Sequence, residues 1–151
     1  MSTIFTQIVE GEIPARVVYE DETTIAFLDA NPLAPGHTLV IPKEEYERVN
    51  DVPDDVATDL YATIHQLIPA VEESVDADAS TVAFNNGEAA GQEVPHVHCH
   101  IVPRFEGDGA GPIHSIFSDA GSFNVDDLDQ ITEDLSDDEL DEIAADIESR
   151  A

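Results

Sequence analysis

One long amphipathic stretch set among short β-type runs constrains the fold more than any other feature. After Pro53, which suits the first position of a helix, Val56, Leu60, Ile64, Leu67, Ile68 and Val71 follow a 3.6-residue period. Pro69 is expected to kink this helix or shorten its last turn. Three runs with strand character precede it, at residues 16–19, 23–28 and 38–41, separated by an acidic turn and by Asn31-Pro32-Leu33-Ala34-Pro35-Gly36. Two follow, at 81–84 and 96–102, with the stretch NNGEAAGQEVP between them. With one helix for five strands, the early strands must pair locally, which disfavours parallel βαβ winding. The fold expected is α+β: a five-stranded antiparallel sheet with helices packed on it. A short helix from Ile4, Phe5, Ile8 and Val9 should end at Gly11. Near the C-terminus Val125, Leu128, Ile131, Leu135, Leu140, Ile143 and Ile147 recur among many acids, and Ser136 with Glu139 suggests a capping box for a last helix.

The chain has 151 residues, room for one compact domain. Five basic residues against 34 acidic ones give a net charge of −29. That excludes a nucleic-acid binder held by Lys and Arg on a phosphate backbone. A single small anion can still be held by backbone N–H groups and histidines. The acids are scattered as well as bunched at the end, with Lys43 the only lysine, which reads as a surface adapted to high salt. The opening residues resemble no signal peptide, and no apolar run is long enough for a membrane span. Cys99 is the only cysteine, so no intrachain disulfide can form. A reduced, cytoplasmic setting is expected, with no nucleic-acid or membrane partner.

His96, His98 and His100 in PHVHCHIVP carry the chemistry. In a strand, residues two apart share a face, so three imidazoles would line one side about 6.6 Å apart while Val97, Cys99 and Ile101 face the other. Such a face suits metal ligation or nucleophilic and acid–base work, and spacing alone does not separate the two. The preceding loop favours the second: Asn85, Gly87, Gly91 and Gln92 offer an amide and a flexible backbone that could present N–H donors to an oxyanion.

These residues resemble the histidine triad (HIT) superfamily of nucleotide hydrolases and transferases. His96 to Val102 forms its H-x-H-x-H signature, with NNG and AGQ before it. IFTQIVEGEIPARVVYEDETTIAFLD and NPLAPGHTLVIPK are similar to the Hint-like branch. The resemblance spans about Ile4 to Arg104, implying a HIT domain at 1–110 and an acidic, partly helical extension at 111–151.

The resemblance implies that His98 attacks the α-phosphorus and becomes a nucleotidyl-histidine. The His96 carbonyl would hold its tautomer, His100 would bond the phosphate, and His37 would pair with His96. Asn85, the backbone of Gly91 and the Gln92-Glu93 segment would lie on the phosphate side. Asp29 would hold the ribose, and Ile4, Phe5, Ile8, Phe27 and Ala30 the base. An unperturbed imidazole titrates near 6.5, so a neutral nucleophile beside a charged phosphate partner is expected near neutrality. Thr3 and Thr6 stand where many members carry zinc-binding cysteines, so no metal and no cofactor are expected. A Glu93 side chain facing the site would repel phosphate. His65 and His114 receive no role.

The expected activity is hydrolysis at the α-phosphorus of purine nucleoside phosphoramidates or related nucleotidyl substrates, by a homodimer. A dinucleoside polyphosphate hydrolase of the Fhit-like branch is the alternative enzyme. A nucleotide-sensing or scaffold protein is the alternative from another class.

Overall fold

The structure, a computed structural model, describes residues 2–109 and 135–151. The chain runs α1 (Ile4–Val9), β1 (Val17–Glu20), β2 (Thr24–Leu28), β3 (Thr38–Pro42), α2 (Asp54–Ser74), β4 (Ala79–Phe84), β5 (Cys99–Arg104) and α3 (Asp137–Arg150). The five strands form one antiparallel sheet in the order β1-β2-β3-β5-β4, as the run spacing implied. Helix α2 carries the chain from central β3 to edge strand β4, and β5 then enters between them.

Both faces of the sheet are covered, so β2 and β3 are buried along their whole length and read as nearly unbroken apolar runs. Side-chain alternation sorts them into two cores. Ala26, Leu28, Val40, Cys99 and Ile101 pack with Leu60, Ile64, Leu67 and Val71 of α2. Ile25, Phe27, Leu39 and Ile41 face the other way and pack with Phe5 of α1. His100 pairs with Leu39 across β3 and β5, which puts it on the α1 side.

Pro69 does not end α2, which continues to Ser74. A proline removes the hydrogen bond to the carbonyl four residues back, here that of His65. Pro69 and His65 both lie on the exposed face, where water can serve that carbonyl, while Leu67, Ala70 and Val71 stay buried. Pro53 is the N-cap rather than the first helical residue.

Helix α3 is acidic outside and apolar inside: Ala144 and Ile147 are buried in the larger core, and Leu140 and Ile143 pack against it. Its first turn carries Asp137, Asp138 and Glu139, whose charges suit a helix N-terminus. Ser136 accepts from the Glu139 N–H, but its hydroxyl also donates to the Glu139 carboxylate, so only half of the expected capping box forms. Arg16 bonds Asp137 and Asp141, and Arg150 bonds Glu73 of α2, tying the helix to the body. Val125, Leu128, Ile131 and His114 lie outside the described residues, as does the 110/111 boundary. No helix among the described residues is long and apolar enough to cross a membrane.

Candidate active site

The strand carrying the histidines begins later than its alternating pattern suggests. β5 starts at Cys99, because the Val97 N–H bonds the Tyr46 carbonyl and the His96 N–H bonds that of Val94 instead of joining the ladder. His96 and His98 therefore lie in the connection entering β5, so the single strand face expected for the triad is not formed. The rings still gather on the α1 side. Phe5 meets His98 edge-on with centroids 5.0 Å apart and His96 at 5.9 Å, and His98 lies 4.9 Å from His100.

Carbonyl partners fix two of the tautomers, because a carbonyl only accepts. His98 Nδ1 lies 2.7 Å from the His96 oxygen, so Nδ1 carries the proton and Nε2 keeps a free lone pair. His96 Nε2 donates to the Pro42 carbonyl at 2.8 Å, leaving Nδ1 as an acceptor 3.5 Å from Thr3 Oγ1.

His37 bonds His100, not His96. The register explains this correction: Thr38 faces Ile101 and Leu39 faces His100, which makes His37 and His100 diagonal neighbours on one face. His96 instead lies against Pro42, five residues along from His37, about 17 Å away at the rise of a strand. The Leu33 N–H donates to His37 Nδ1 at 3.0 Å, so the His37 proton is on Nε2 and is donated to His100 Nδ1 at 2.9 Å. His100 must then carry its own proton on Nε2. The result is a directional chain from a backbone N–H through two neutral rings to one outward donor.

Burial is the main cause that pushes both rings down to about 4, helped at His37 by His98 and at His100 by His37 and then His98. The charged phosphate partner expected from an ordinary imidazole is thus a neutral donor in the free protein. Burial also lowers His96. A bound phosphoryl group would favour the charged forms and raise these values.

Asp29, His37 and His100 bring three potential metal ligands within 4.8 Å of one another. Their chemistry fits a metal poorly. His37 Nε2 and His100 Nδ1 are 2.9 Å apart with a proton between them, whereas tetrahedral zinc ligands stand about 3.4 Å apart. The Asp29 carboxylate accepts from the Asn31 N–H through one oxygen and approaches His37 Nε2 at 3.6 Å with the other.

The loop before the triad is braced from within. Gln92 is buried; its Oε1 accepts from the Gly87 N–H at 2.7 Å, and its Nε2 donates to the carbonyls of Glu47 and Val94. The Gln92 side chain therefore holds the loop. Gly91 has φ +94°, a conformation that strains any residue with a side chain, and a Cβ there would come into ordinary contact with the exposed Asn85 amide. Glu93 is exposed. Among the apolar residues expected at the base, Phe5 and Phe27 are buried and stacked edge-on at 5.6 Å, Ile8 packs beside them, and Ile4 and Ala30 are exposed. His65 is exposed on α2, on the other side of the sheet.

Sequence reasoning missed the Leu33 N–H, the Pro42 carbonyl and Glu45, which accepts from both Thr3 and Thr6. The Pro42 carbonyl and Glu45 act across distant segments, which no local pattern marks, whereas the Leu33 N–H lies only four residues from His37 and depends on how the turn between them folds.

Residues 10–107 match the family model described as HIT domain. An uncharacterized HIT-like protein of Methanocaldococcus jannaschii is 50% identical over 106 residues, 70% of this chain and 81% of that protein. An adenylylsulfatase of Arabidopsis thaliana is 37% identical over 105 residues, 70% of this chain and 53% of its own length. A bis(5'-nucleosyl)-tetraphosphatase (asymmetrical) of Schizosaccharomyces pombe is 36% identical over 96 residues, 64% of this chain and 53% of its own. Among solved structures, a HIT-like protein from Bartonella henselae superposes with a TM-score of 0.78 at 32% identity, covering 99% of this chain and 97% of that one. With the sheet order, the histidine cluster and these matches in agreement, the chain belongs to the HIT domain family.

Proposed function

We propose that this protein is a nucleotide hydrolase acting at the α-phosphorus of purine nucleoside phosphoramidates or related nucleotidyl substrates, in the manner of the Hint-like branch. The observation that carries the reading is the bond from His98 Nδ1–H to the His96 carbonyl, which leaves Nε2 as a lone-pair nucleophile. In the first step His98 Nε2 bonds the α-phosphorus and the bond to the leaving amine breaks, the amine taking a proton. In the second, water attacks phosphorus, the bond to His98 breaks and the nucleoside monophosphate is released. The neutral His100 N–H is assigned to a phosphoryl oxygen, to which it would donate as charge builds there; the bond from His37 to its Nδ1 supports this by leaving the proton on Nε2. Phe5, Ile8 and Phe27 supply an apolar wall for the base, with Ile4 and Ala30 at its exposed rim, and Asp29 supplies a carboxylate for the ribose hydroxyls. Asn85, the Gly91 backbone and the Gln92-Glu93 backbone are assigned to the phosphate side.

Hydrolysis of dinucleoside polyphosphates is the second reading, favoured by the likeness to the S. pombe tetraphosphatase. The Arabidopsis adenylylsulfatase shows a relative acting on another adenylyl compound. A purely nucleotide-sensing or scaffold role would have no use for the held nucleophile. We read the protein as a cytoplasmic homodimer with a salt-adapted surface. Edge strand β4 supports the dimer, since it leaves Val82 exposed and Phe84 beside the exposed Tyr61 of α2. Steady-state rates on an adenosine phosphoramidate and on a diadenosine polyphosphate, measured side by side in high salt, test the assignment. The faster substrate should be the phosphoramidate; a faster polyphosphate would replace the first reading by the second, and turnover of neither would leave the sensing role.

A further inference from the structure

The segment 42–47 grips the approach to β5 at three backbone points: the Pro42 carbonyl takes His96 Nε2–H, the Tyr46 carbonyl takes the Val97 N–H, and the Glu47 carbonyl takes Gln92 Nε2–H. A fourth grip from the same segment goes elsewhere. Glu45 Oε1 accepts from the Thr3 N–H and from Thr6 Oγ1, both at 2.9 Å. Thr3 Oγ1 in turn accepts from the Thr6 N–H at 3.3 Å and lies 3.5 Å from His96 Nδ1. These contacts tie down the start of α1.

Helix α1 has six residues, too few to be stable alone, because nucleation costs more than so short a ladder returns. Yet it delivers Phe5 edge-on against His98 and His96. We infer that Glu45 is a positioning residue for the nucleophile, clasping α1 so that Phe5, edge-on to the His98 ring, keeps it seated with Nδ1–H on the His96 carbonyl. The inference rests on the reading of His98 as nucleophile and adds the residue that holds it. Glu45 touches neither His98 nor the place assigned to substrate; its two hydrogen bonds are charge-assisted, and the Thr3 N–H foremost holds its carboxyl below the usual range. One segment thus fixes both the backbone that carries His98 and the helix that covers it.

The test compares wild type, Glu45→Ala, Glu45→Gln and Glu44→Ala in high salt near pH 7.5. Glu44 accepts from the Tyr46 hydroxyl and serves as the neighbouring-charge control. Long-range proton–nitrogen NMR of the imidazoles, without substrate, should show His98 as a single Nδ1–H tautomer in wild type and Glu44→Ala. In Glu45→Ala it should show mixed tautomers or faster Nδ1–H exchange, with kcat on adenosine phosphoramidate lower by about tenfold or more, since small misplacements of a reacting group cost that much. Glu45→Gln keeps an acceptor oxygen and should recover most of both readouts. A Glu45→Ala protein that melts earlier but keeps wild-type His98 signals and kcat would show a merely structural contact and overturn the inference. If Glu45→Ala does not fold, Thr6→Val, which removes one of the two bonds, gives the same contrast in milder form, and unchanged His98 signals there overturn it too. Because the spectra need no substrate, they decide the role of Glu45 even if the wild-type protein hydrolyses no phosphoramidate.

Discussion

Acid should destabilise this protein through two buried histidines. His37 and His100 are neutral when folded, with pKa values pushed by burial to about 4, and return to an ordinary value near 6.5 when the chain unfolds. The unfolded state therefore binds more protons between these limits, so stability is complete above pH 6.5 and falls as the pH drops towards 4. Going from about pH 7.5 to about pH 5.0 should remove about 2 kcal/mol through the buried His37, with a smaller part from the less enclosed His100 that is hydrogen-bonded to it. That is a large share of the roughly 5 to 15 kcal/mol that holds a domain folded. Protonating carboxylates acts in the opposite direction by relieving repulsion, so the histidine contribution must be read as a difference between proteins. His37→Gln keeps an acceptor for the Leu33 N–H and a donor for His100 but cannot titrate. Urea unfolding at both pH values in constant high salt should give the variant a drop smaller than that of wild type by about 2 kcal/mol. Equal drops would refute the neutral relay.

The fold should also depend on salt. The net −29 already counts all five basic residues, four of which, Arg16, Lys43, Arg104 and Arg150, pair with acids, so nothing of opposite sign in the chain offsets it and raising KCl from about 0.1 to 3 M should raise the melting temperature; an unchanged value would remove the case for a salt-adapted surface. Ile147→Ala should cost about 2–5 kcal/mol in urea unfolding, because the side chain is wholly enclosed between α3 and the core, while turnover per folded molecule stays at the wild-type level; a cost under about 0.5 kcal/mol would mean that α3 does not dock as described.

The sheet was legible because its strands announce themselves locally. β2 and β3 are apolar runs between turn residues, and one 21-residue helix between β3 and β4 leaves antiparallel pairing for the rest. Register was not legible, and the errors follow from it. His37 was expected on His96 and bonds His100, because that choice depends on Leu39 facing His100. The strand start was misplaced because the Val97 N–H leaves the ladder for Tyr46, a contact no alternation pattern encodes. That the Gln92 side chain braces the loop was not legible either, since it depends on Gly87, Glu47 and Val94 meeting there. Thr3 and Thr6 showed what was missing from the first segment but not that Glu45, about forty residues away, takes up their donors.

The nucleophile is the central claim, and trapping it is the most direct measurement. An early acid-free quench during turnover of an adenosine phosphoramidate, followed by proteolysis and mass spectrometry, should find adenylate on the peptide around the triad and localise it to His98 Nε2, the nitrogen left unprotonated by the bond to the His96 carbonyl. His98→Ala should carry no adduct and lose more than nine tenths of the turnover. Adenylate on His96 or His100, or an adduct that persists in His98→Ala, would contradict the account.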